Sequence, residues 1–391
     1  MEFYGYERPD GSVGVRNHLL VLAPIDCSFE PAKRIAHQVE GAVAVTQHHG
    51  CGLDWMVAHN LIGIASNPNV AAVLIVGLGC ETLNADIIEE GLKPTGKRVE
   101  RVIIQQEEGG TIRAIERGVR LLREMAEEVS EQRRETFPLS RLTLAVECGG
   151  SDATSGIAAN PAVGVAADLL IEEGGAVIIS EPQEMIGAEN YLCKRAVNRE
   201  VAEAIREMIQ RQVRRLEAMG VESRYMSRGN IEGGLTTIEE KSLGAVRKGG
   251  TKTIMGVLRN DWSGLDKPRG SGLWLQDGTG WDIGSVTHMV AAGAQIVVFT
   301  TGRGSTVGHA IAPVIKVTGN PETYRRMEDD IDINAGTIIE GVESIREVGE
   351  RIFNLVIQVA SGRKTKAELL GYREFAIFKR DRAAERLLGF C

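Results

Sequence analysis

Apolar runs alternate with amphipathic segments along the first part of the chain. Residues 19–25 and 71–78 are short apolar runs, and 99–105 is a third candidate strand. The run at 71–78 is rich in β-branched residues, as expected for a strand that is buried on both faces. Residues 111–135 carry apolar positions at helical spacing. Strand–helix alternation of this kind predicts a doubly wound parallel sheet.

The pattern repeats after a break at residues 136–138. We expect a charged helix over 199–219 and further strands over 142–146, 176–180, 253–257 and 295–300. The sequence therefore predicts an α/β protein of two domains. A Rossmann-like parallel-sheet domain would cover 1–137, and a larger α/β catalytic domain would cover 138–391. Open α/β sheets bind ligands at the carboxyl ends of their strands, so residues that directly follow strands are the functional candidates.

Composition narrows the function classes. The chain has 391 residues, 43% of them hydrophobic, and a formal net charge of −8. The acidic balance argues against a nucleic-acid surface, since no basic stripe is available to neutralise phosphates. No apolar stretch reaches the ~18 residues of a membrane span, and the N-terminus does not resemble a secretory signal. We therefore predict a cytoplasmic protein with reduced thiols and no membrane segment.

Three of the six cysteines lie beside glycines near strand ends. Cys51 follows His48 and His49, while Cys80 and Cys148 follow predicted strands directly. Thiolates and imidazoles are good ligands for iron and zinc, so these five residues are candidate metal ligands. Their spacing is not that of a C-x-x-C pair. The alternative is that the cysteines are small buried side chains in tight corners.

A glycine-rich segment at 229–250 contains Asn230, Glu240 and Lys241. A lysine close to carboxylates is a plausible general base or carboxylate ligand, and Asn230 is a candidate substrate contact. The alternative is a solvated helix start in which the threonines at 236 and 237 form the cap.

A second polar segment follows the predicted strand at 295–300. Thr301 and Arg303 lie among glycines, and backbone N–H groups with a guanidinium fork suit a carboxylate. His309 is a candidate proton carrier, although a single histidine is more often structural. Asp152 and Asn160 come shortly after Cys148 and would suit hydroxyl recognition on a polyol; the alternative there is a turn before a helix that starts near Pro161.

Taken together, several runs of the sequence resemble the altronate/galactarate dehydratase family. The resemblance extends over nearly the whole chain, in family order. It rests on these runs: 5–17 (GYERPDGSVGVRN), Gly50-Cys51-Gly52, 77–81 (GLGCE), 148–161, 233–244 (GGLTTIEEKSLG) and 299–304 (FTTGRG).

The resemblance implies a lyase that removes water from a sugar acid and leaves a 2-keto-3-deoxy acid. It implies iron as the cofactor, either as Fe²⁺ or as a labile 4Fe–4S cluster, held by Cys51, Cys80 and Cys148 with His48 or His49 added. Arg303 and Arg16 would hold the substrate carboxylate. Lys241 or His309 would act as base or acid.

Family members with one long chain carry an additional small SAF domain, and here the family pattern begins at residue 3. We therefore expect a separate small SAF subunit, and a basic amphipathic tail at 362–391 is expected to pack or to pair with a partner in a homo- or hetero-oligomer. Two rival functions stay open. One is the large subunit of sulfolactate sulfo-lyase, which expels sulfite; the other is a non-catalytic protein that binds a sugar acid or nucleotide.

Overall fold

A computed structural model describes residues 1–222 and 225–380 and shows two parallel sheets flanked by helices. The predicted α/β class is confirmed. The first parallel sheet has the strand order β4-β3-β5-β6. Its strands are β3 (His18–Ala23), β4 (Ala42–Thr46), β5 (Val70–Gly77) and β6 (Arg98–Ile103). Its helices are α1 (Phe29–Ala36), α2 (Trp55–Ser66), α3 (Ala85–Leu92) and α4 (Thr111–Ser130).

A small antiparallel sheet joins the start of the chain to the beginning of its second half. Its order is β2-β1-β7, with β1 (Glu2–Glu7), β2 (Val13–Gly14) and β7 (Glu135–Pro138). The helix predicted at 111–135 ends earlier, at Ser130, because the chain turns into β7, which begins at Glu135. The boundary expected at 137 falls inside this strand.

The second parallel sheet has seven strands in the order β10-β13-β9-β8-β14-β15-β16. Its strands are β8 (Thr143–Cys148), β9 (Ala176–Ile179), β10 (Ile254–Leu258), β13 (Gly272–Gln276), β14 (Ile296–Thr301), β15 (Val314–Thr318) and β16 (Ile333–Asn334), and a hairpin is formed by β11 (Asn260–Asp261) and β12 (Gly264–Leu265). The helices of this half are α5 (Asn160–Glu172), α6 (Glu189–Cys193), α7 (Arg199–Ala218), α8 (Arg228–Glu232), α9 (Ile238–Ala245), α10 (Asp282–Ala291), α11 (Pro321–Arg326), α12 (Ile345–Ala360) and α13 (Lys366–Leu369).

One continuous apolar core joins the two halves. Alternate residues of β3 point to opposite faces: Leu20 and Leu22 pack in a cluster that also holds side chains of β14 and α10. Leu19 and Val21 pack instead against α1 and α4. Because α2 lies directly against α10, the two sheets are fixed relative to each other.

Local capping explains where several helices begin. Asp54 accepts hydrogen bonds from the backbone N–H groups of Met56 and Val57 at the start of α2. Thr237 caps α9 in the same way through Glu240 N–H. Within residues 1–222 and 225–380, no helix is both long and apolar enough to cross a membrane. Part of the predicted amphipathic tail, residues 381–391, lies outside the described residues.

Candidate active site

The carboxyl edge of the seven-stranded sheet carries a buried polar cluster. Strand β8 ends at Cys148, and Glu181 follows β9 after one residue. Helix α10 begins at Asp282, shortly after β13. Since the strands are parallel, their carboxyl ends meet at one edge, which brings these side chains together.

Lys248 is the centre of this cluster. Its Nζ lies 2.8 Å from Cys148 Sγ, 3.0 Å from Glu184 Oε2 and 3.2 Å from Glu181 Oε2. The side chain is 1% exposed. A second lysine, Lys241, donates to the other oxygen of Glu184 at 2.5 Å and is 14% exposed. We call Cys148, Glu181, Glu184, Lys241 and Lys248 the lysine–cysteine cluster.

Each ionisable group in the lysine–cysteine cluster is shifted by burial and by its neighbours. Burial opposes ionisation of Glu184, but the ammonium groups of Lys241 and Lys248 outweigh it and hold the pKa of this carboxyl well below its usual range. Burial and the neighbouring carboxylates of Glu147 and Glu184 raise the pKa of Glu181 well above its usual range. Burial raises the pKa of the Cys148 thiol to about 12. These shifts favour an ionised Glu184, the protonated form of Glu181 and a neutral thiol at Cys148.

Both lysines keep their protons. Burial disfavours the charged form of Lys241, but the Glu184 carboxylate outweighs it and raises the pKa of the ammonium group. The pKa of Lys248 is raised in the same way, against burial, by the surrounding Cys148, Glu184 and Glu181. Lys241 is therefore a fixed positive charge in this structure, and it is not set up to act as a base.

A carboxylate trio lies on the other side of the strand end. Ligand atoms of Glu147, Glu181 and Asp282 all lie within 4.8 Å of one another. Ser285 donates to Glu147 Oε2 at 2.8 Å, and Glu147 Oε1 has no hydrogen-bond partner within the described residues. Burial raises the pKa of Glu147 to about 8. Burial, reinforced by the Glu184 carboxylate, raises the pKa of Asp282 to about 6.

Glu181 belongs to both groups and has a strained backbone. Its φ is +69°, a left-handed conformation that non-glycine residues seldom adopt. Such strain persists only where the surroundings fix it, and it concentrates at functional sites. The turn at Glu181 aims its carboxyl inward, between Lys248 and Glu147.

A cavity of about 380 Å³ opens over the cluster. Its polar lining includes Cys148, Glu181, Glu184, Lys241 and Asp282, and its apolar lining includes Ile186, Leu216, Met226 and Ile238. The wall also needs glycine: a Cβ on Gly149 would lie 2.0 Å from Asp282 Oδ2. The arrangement can hold a small polar acid against charged groups while its remainder contacts apolar side chains.

A second cavity of about 320 Å³ adjoins the first and shares Ser151 and Lys241 with it. Asp152 and Asn160 line it, but their polar atoms are already bonded within the protein. Asp152 Oδ1 accepts from Thr154 and Ser155 N–H groups, at 2.9 and 3.1 Å. Asn160 donates to Gly244 O at 3.1 Å and accepts from Thr300 Oγ1 at 2.6 Å. These contacts hold the loops that form the wall.

Three further predicted residues lie in or near the first two cavities. Asn230 lines the first one and donates to Ser151 O at 3.0 Å. Glu240 lines the second, where its carboxylate accepts from Thr236 N at 2.8 Å as a helix cap. Thr301 is buried beside them and accepts from Gly304 N at 3.0 Å.

Arg303 lies at the rim, and its guanidinium is engaged within the protein. Nη1 donates to Gly229 O at 2.8 Å and to Glu232 Oε2 at 3.1 Å, and the side chain is 43% exposed. To clamp a substrate carboxylate, Arg303 would have to leave these partners. Arg16 and His309 lie elsewhere, together in a third cavity.

The predicted metal ligands are divided between the two sheets. Cys51 and Cys80 are exposed at the carboxyl edge of the first sheet, on loops joined by the bond from Thr82 N to Cys51 O at 2.9 Å. His48 Nδ1 pairs with Asp26 Oδ1 at 2.6 Å, and His49 Nε2 contacts Ile377 O at 2.6 Å. Cys148 lies in the other sheet. The chain therefore does not bring the predicted ligand set to one point.

Comparison with known proteins assigns the family. The profile described as D-galactarate/Altronate dehydratase, C-terminal, matches residues 139–383, and that described as D-galactarate dehydratase/Altronate hydrolase, second domain, matches residues 5–130. The chain belongs to this family. The predicted resemblance is thereby confirmed.

Individual relatives extend over most of the chain. The (2R)-sulfolactate sulfo-lyase subunit beta of Chromohalobacter salexigens is 36% identical, over 96% of both chains. The altronate dehydratase of Bacillus subtilis is 34% identical over 96% of this chain and 77% of that protein. The galactarate dehydratase (L-threo-forming) of Escherichia coli is 35% identical over 93% of this chain and 73% of that protein.

In this family member, several site residues escaped the sequence interpretation. Glu147 directly precedes Cys148, and Glu181 directly follows a predicted strand, so both occupied positions where function was expected. Glu184 lies in a short 3-10 helix (Pro182–Met185) and Asp282 is the first residue of α10, and neither segment carries a recognisable motif. Lys248 was visible in the glycine-rich segment at 229–250, but its partners are 64 to 100 residues away in sequence.

Proposed function

We propose that this chain is the large subunit of a lyase that removes water from a sugar acid to give a 2-keto-3-deoxy acid. The observation that carries the proposal is the first cavity. Within a chain of the dehydratase family, its polar wall combines Glu181, whose carboxyl pKa is raised well above its usual range, with Asp282, whose pKa is raised to about 6, and with the ammonium group of Lys241. Where an active site holds carboxyl groups of different pKa, one usually acts as the general acid and another as the general base.

The reaction begins with removal of a weakly acidic proton next to a carboxylate. Asp282 is the base in this proposal: a pKa of about 6 leaves it ionised at neutral pH, and it is more basic than an ordinary carboxylate. The Lys241 ammonium stabilises the negative charge that develops on the substrate carboxylate as the proton leaves.

The leaving hydroxyl also needs a proton. Glu181 supplies it in this proposal, because burial and the neighbouring carboxylates raise the pKa of its carboxyl and so favour the protonated form at the cavity wall. The electron pair of the broken C–H bond forms the new C=C bond as the C–O bond breaks and water departs. The resulting enol then becomes the 2-keto acid, with protons conserved overall. Lys248 and Cys148 position Glu181 and Glu184 and do not exchange protons in this scheme.

We also propose iron as the metal of this enzyme. The support is the family resemblance together with the donor chemistry of Cys51, Cys80 and His48, since exposed thiols and imidazole suit iron. In the described residues these three do not form a group with all ligand atoms within 4.8 Å, and His48 pairs with Asp26, so the loops would have to rearrange to hold the ion. Cys148 is not included, because Lys248 and Glu184 already bond its thiol. Bound iron would supply Lewis-acid polarisation of a substrate oxygen. If Cys80→Ser, purified without oxygen, retains the iron content of the wild type, Cys80 is not a ligand.

A second candidate is elimination of sulfite from sulfolactate. It is favoured by the 36% identity to a sulfolactate sulfo-lyase subunit over 96% of both chains. The same base and ammonium charge would serve, with sulfite as the leaving group. That relative is named as a subunit, which also supports our proposal that a small SAF polypeptide or another subunit assembles with this chain.

The test is an oxygen-free activity screen on altronate, galactarate and sulfolactate. Each substrate is assayed with and without Fe²⁺, and with and without a co-expressed small SAF protein. Formation of a 2-keto-3-deoxy acid supports the dehydratase, and release of sulfite supports the second candidate. Tight substrate binding without turnover in every arm would contradict both and favour a binding protein.

A further inference from the structure

The two cavities at the carboxyl edge of the seven-stranded sheet meet at Ser151. The first has a volume of about 380 Å³ and the second a volume of about 320 Å³, and Ser151 and Lys241 line both. Each volume lies near the lower end of the range for ligand sites, ~300–1,000 Å³. A short hydroxy acid can be held in the first cavity alone, whereas a longer one has room to continue past Ser151 into the second.

The backbone at Ser151 is held on both sides. Ser151 follows Gly150, whose φ of +62° turns the chain after β8, and Gly150 O accepts from Arg303 N at 2.9 Å. The Ser151 carbonyl accepts from Asn230 Nδ2 at 3.0 Å. On the other side, the carboxylate of Asp152 accepts hydrogen bonds from the turn that follows it. The position of the Ser151 hydroxyl is therefore fixed before any ligand binds.

The hydroxyl of Ser151, unlike its carbonyl, has no partner. Ser151 is 5% exposed, yet its Oγ forms no hydrogen bond with any residue in 1–222 or 225–380. Ser180 Oγ also has no partner, but it is fully enclosed, whereas Ser151 Oγ keeps accessible surface. Since Ser151 lines both cavities, this surface borders cavity space. A hydroxyl that can donate one hydrogen bond and accept two is thus available to a ligand at the junction.

The wall of the second cavity carries groups of both charges. Glu240 lines it, and hydrogen bonds from Thr236 lower the pKa of the Glu240 carboxyl, which favours the carboxylate. Arg247 also lines it, and its guanidinium forms no hydrogen bond or ion pair within the described part of the chain. Hydroxyl groups both donate and accept hydrogen bonds, so a polyhydroxy chain can use both side chains.

We propose that the two cavities form one groove for a long sugar acid and that Ser151 is a specificity-determining residue at its middle. The acid end, with the reacting carbons, lies in the first cavity. The polyhydroxy end passes Ser151, whose Oγ bonds a hydroxyl beyond the reacting carbons, and enters the second cavity. The recognition of hydroxyls that was predicted for Asp152 and Asn160 thereby falls to Ser151 and Glu240.

The inference rests on the proposed function, because it takes the first cavity as the place of reaction. It also separates the two candidate substrates by length. Altronate has six carbons and would occupy both cavities. Sulfolactate has three carbons and would end before the second cavity. Ligand length is therefore the property that the experiment varies.

Narrowing the second cavity tests the groove. Leu243 lines the second cavity and not the first, and it is 46% exposed, so Leu243→Trp can fill the groove while the fold is kept. Leu370→Trp is the matched control, because Leu370 is 48% exposed and lines neither cavity. Calorimetric titration of the full chain without oxygen measures the Kd of altronate and of sulfolactate. Where altronate is turned over, its KM is measured in place of Kd.

The two tryptophan variants should differ for the long ligand alone. Leu243→Trp should weaken altronate binding about tenfold or more, and it should leave any binding of sulfolactate within about twofold of the wild type. Leu370→Trp should change neither constant. If altronate is turned over, kcat of Leu243→Trp should stay within about twofold, because the lost contacts are made equally before and during the reaction.

Ser151→Ala removes the hydroxyl and keeps the backbone contacts. Loss of one hydrogen bond should weaken altronate binding about three- to tenfold, without an effect on sulfolactate. Ser180→Ala is the control, since Ser180 Oγ is enclosed without a partner and Ser180 lines neither cavity. A purely structural role of Ser151 would weaken the binding of both ligands alike. Equal altronate binding by Ser151→Ala and Ser180→Ala would remove Ser151 from the groove.

Three results would overturn the groove itself. They are a wild-type chain that does not bind altronate, equal altronate binding by Leu243→Trp and Leu370→Trp, and equal weakening of both ligands in Leu243→Trp. Failure of the proposed function looks different. A chain that binds altronate in this length-dependent way but forms no 2-keto-3-deoxy acid has the groove and lacks the reaction.

Discussion

The carboxyl edges of the two parallel sheets have similar sequence features but different surroundings. In the first sheet, Cys27, Cys51 and Cys80 follow three neighbouring strands and are all exposed. In the second, Cys148 occupies the same kind of position, at a strand end beside glycine, and is 2% exposed. The second edge combines a cavity with lysines and carboxylates in direct contact with the thiol.

The difference comes from what covers each edge. A helix and turn formed by 238–249 lie over Cys148 and deliver Lys241 and Lys248 into its surroundings. The loops after β4 and β5 are also contacted, by Ile377 and Lys379 and by Gln106, but Cys51 and Cys80 stay exposed. A cysteine at a strand end thus indicates a possible functional site, and the segment that covers it determines the chemistry of that site.

The largest expected effect comes from removing the central charge of the covered edge. Lys248→Met leaves the buried Glu184 carboxylate without one of its two ammonium partners, so we expect a loss of ~3–5 kcal/mol in unfolding free energy and loss of activity. Denaturant unfolding and turnover measure both. Lys316→Met is the control, because Lys316 is also fully buried but its Nζ has no hydrogen-bond partner within the described residues. Equal destabilisation by the two variants would contradict a specific role for Lys248.

Thiol reactivity compares the two edges directly. A pKa of about 12 makes the thiolate of Cys148 roughly 10³-fold scarcer than that of an ordinary cysteine at neutral pH, and burial slows attack further. Alkylation followed by peptide mass mapping of the native protein should therefore label Cys27, Cys51 and Cys80 first. Labelling of Cys148 at a similar rate would show that the second edge is open.

Asp282→Asn tests the base proposed for the covered edge. General bases contribute about 10²–10⁴-fold to turnover. We therefore expect Asp282→Asn to keep its fold and to lose at least about 10²-fold in kcat. In the wild type, kcat/KM should fall as the pH drops through about 6, where Asp282 takes up a proton. If Asp282→Asn stays active and its kcat/KM still falls below about pH 6 as in the wild type, another group causes that fall.

The smallest expected effect concerns the free energy of unfolding at acid pH. Burial lowers the pKa of His288 from 6.5 to about 3, so the unfolded chain binds a proton that the folded one does not. The stability that this group contributes is present above pH 6.5 and is lost as the pH falls toward about 3. At about pH 5 the loss is on the order of 2 kcal/mol. His288→Gln should flatten the pH dependence of the unfolding free energy between pH 6.5 and about 3, measured by denaturant unfolding at several pH values.

Much of the fold could be predicted from the sequence, because its strands are short apolar runs and its long helices are amphipathic. The strand expected at 71–78 is β5 (Val70–Gly77), and that expected at 295–300 is β14 (Ile296–Thr301). Strand β4 (Ala42–Thr46) was missed because its run, AVAVT, contains two alanines, which are depleted in strands.

The site was harder to predict, because its contacts are long-range. The segment containing Lys241 was recognised, but a motif cannot show that Glu184, 57 residues earlier, holds its ammonium group. Burial likewise changes the chemistry of a residue without changing its letter: Lys241 was considered as a base, and its buried partner keeps it charged. The metal ligands stay a prediction. Four of the five lie at the exposed carboxyl edge of the first sheet, and Cys148 lies in the second.

The most direct test of the catalytic role of the covered edge compares two lysines of the second half. Lys241 pairs with Glu184 at the cavity wall, while Lys252 pairs with Glu172 at the surface, at 2.6 Å. On the substrate identified by the screen, Lys241→Met should lower kcat/KM by about a hundredfold or more, and Lys252→Met should stay within about twofold of the wild type. A folded Lys241→Met that matches Lys252→Met in kcat/KM would contradict the assignment of this cavity as the active site.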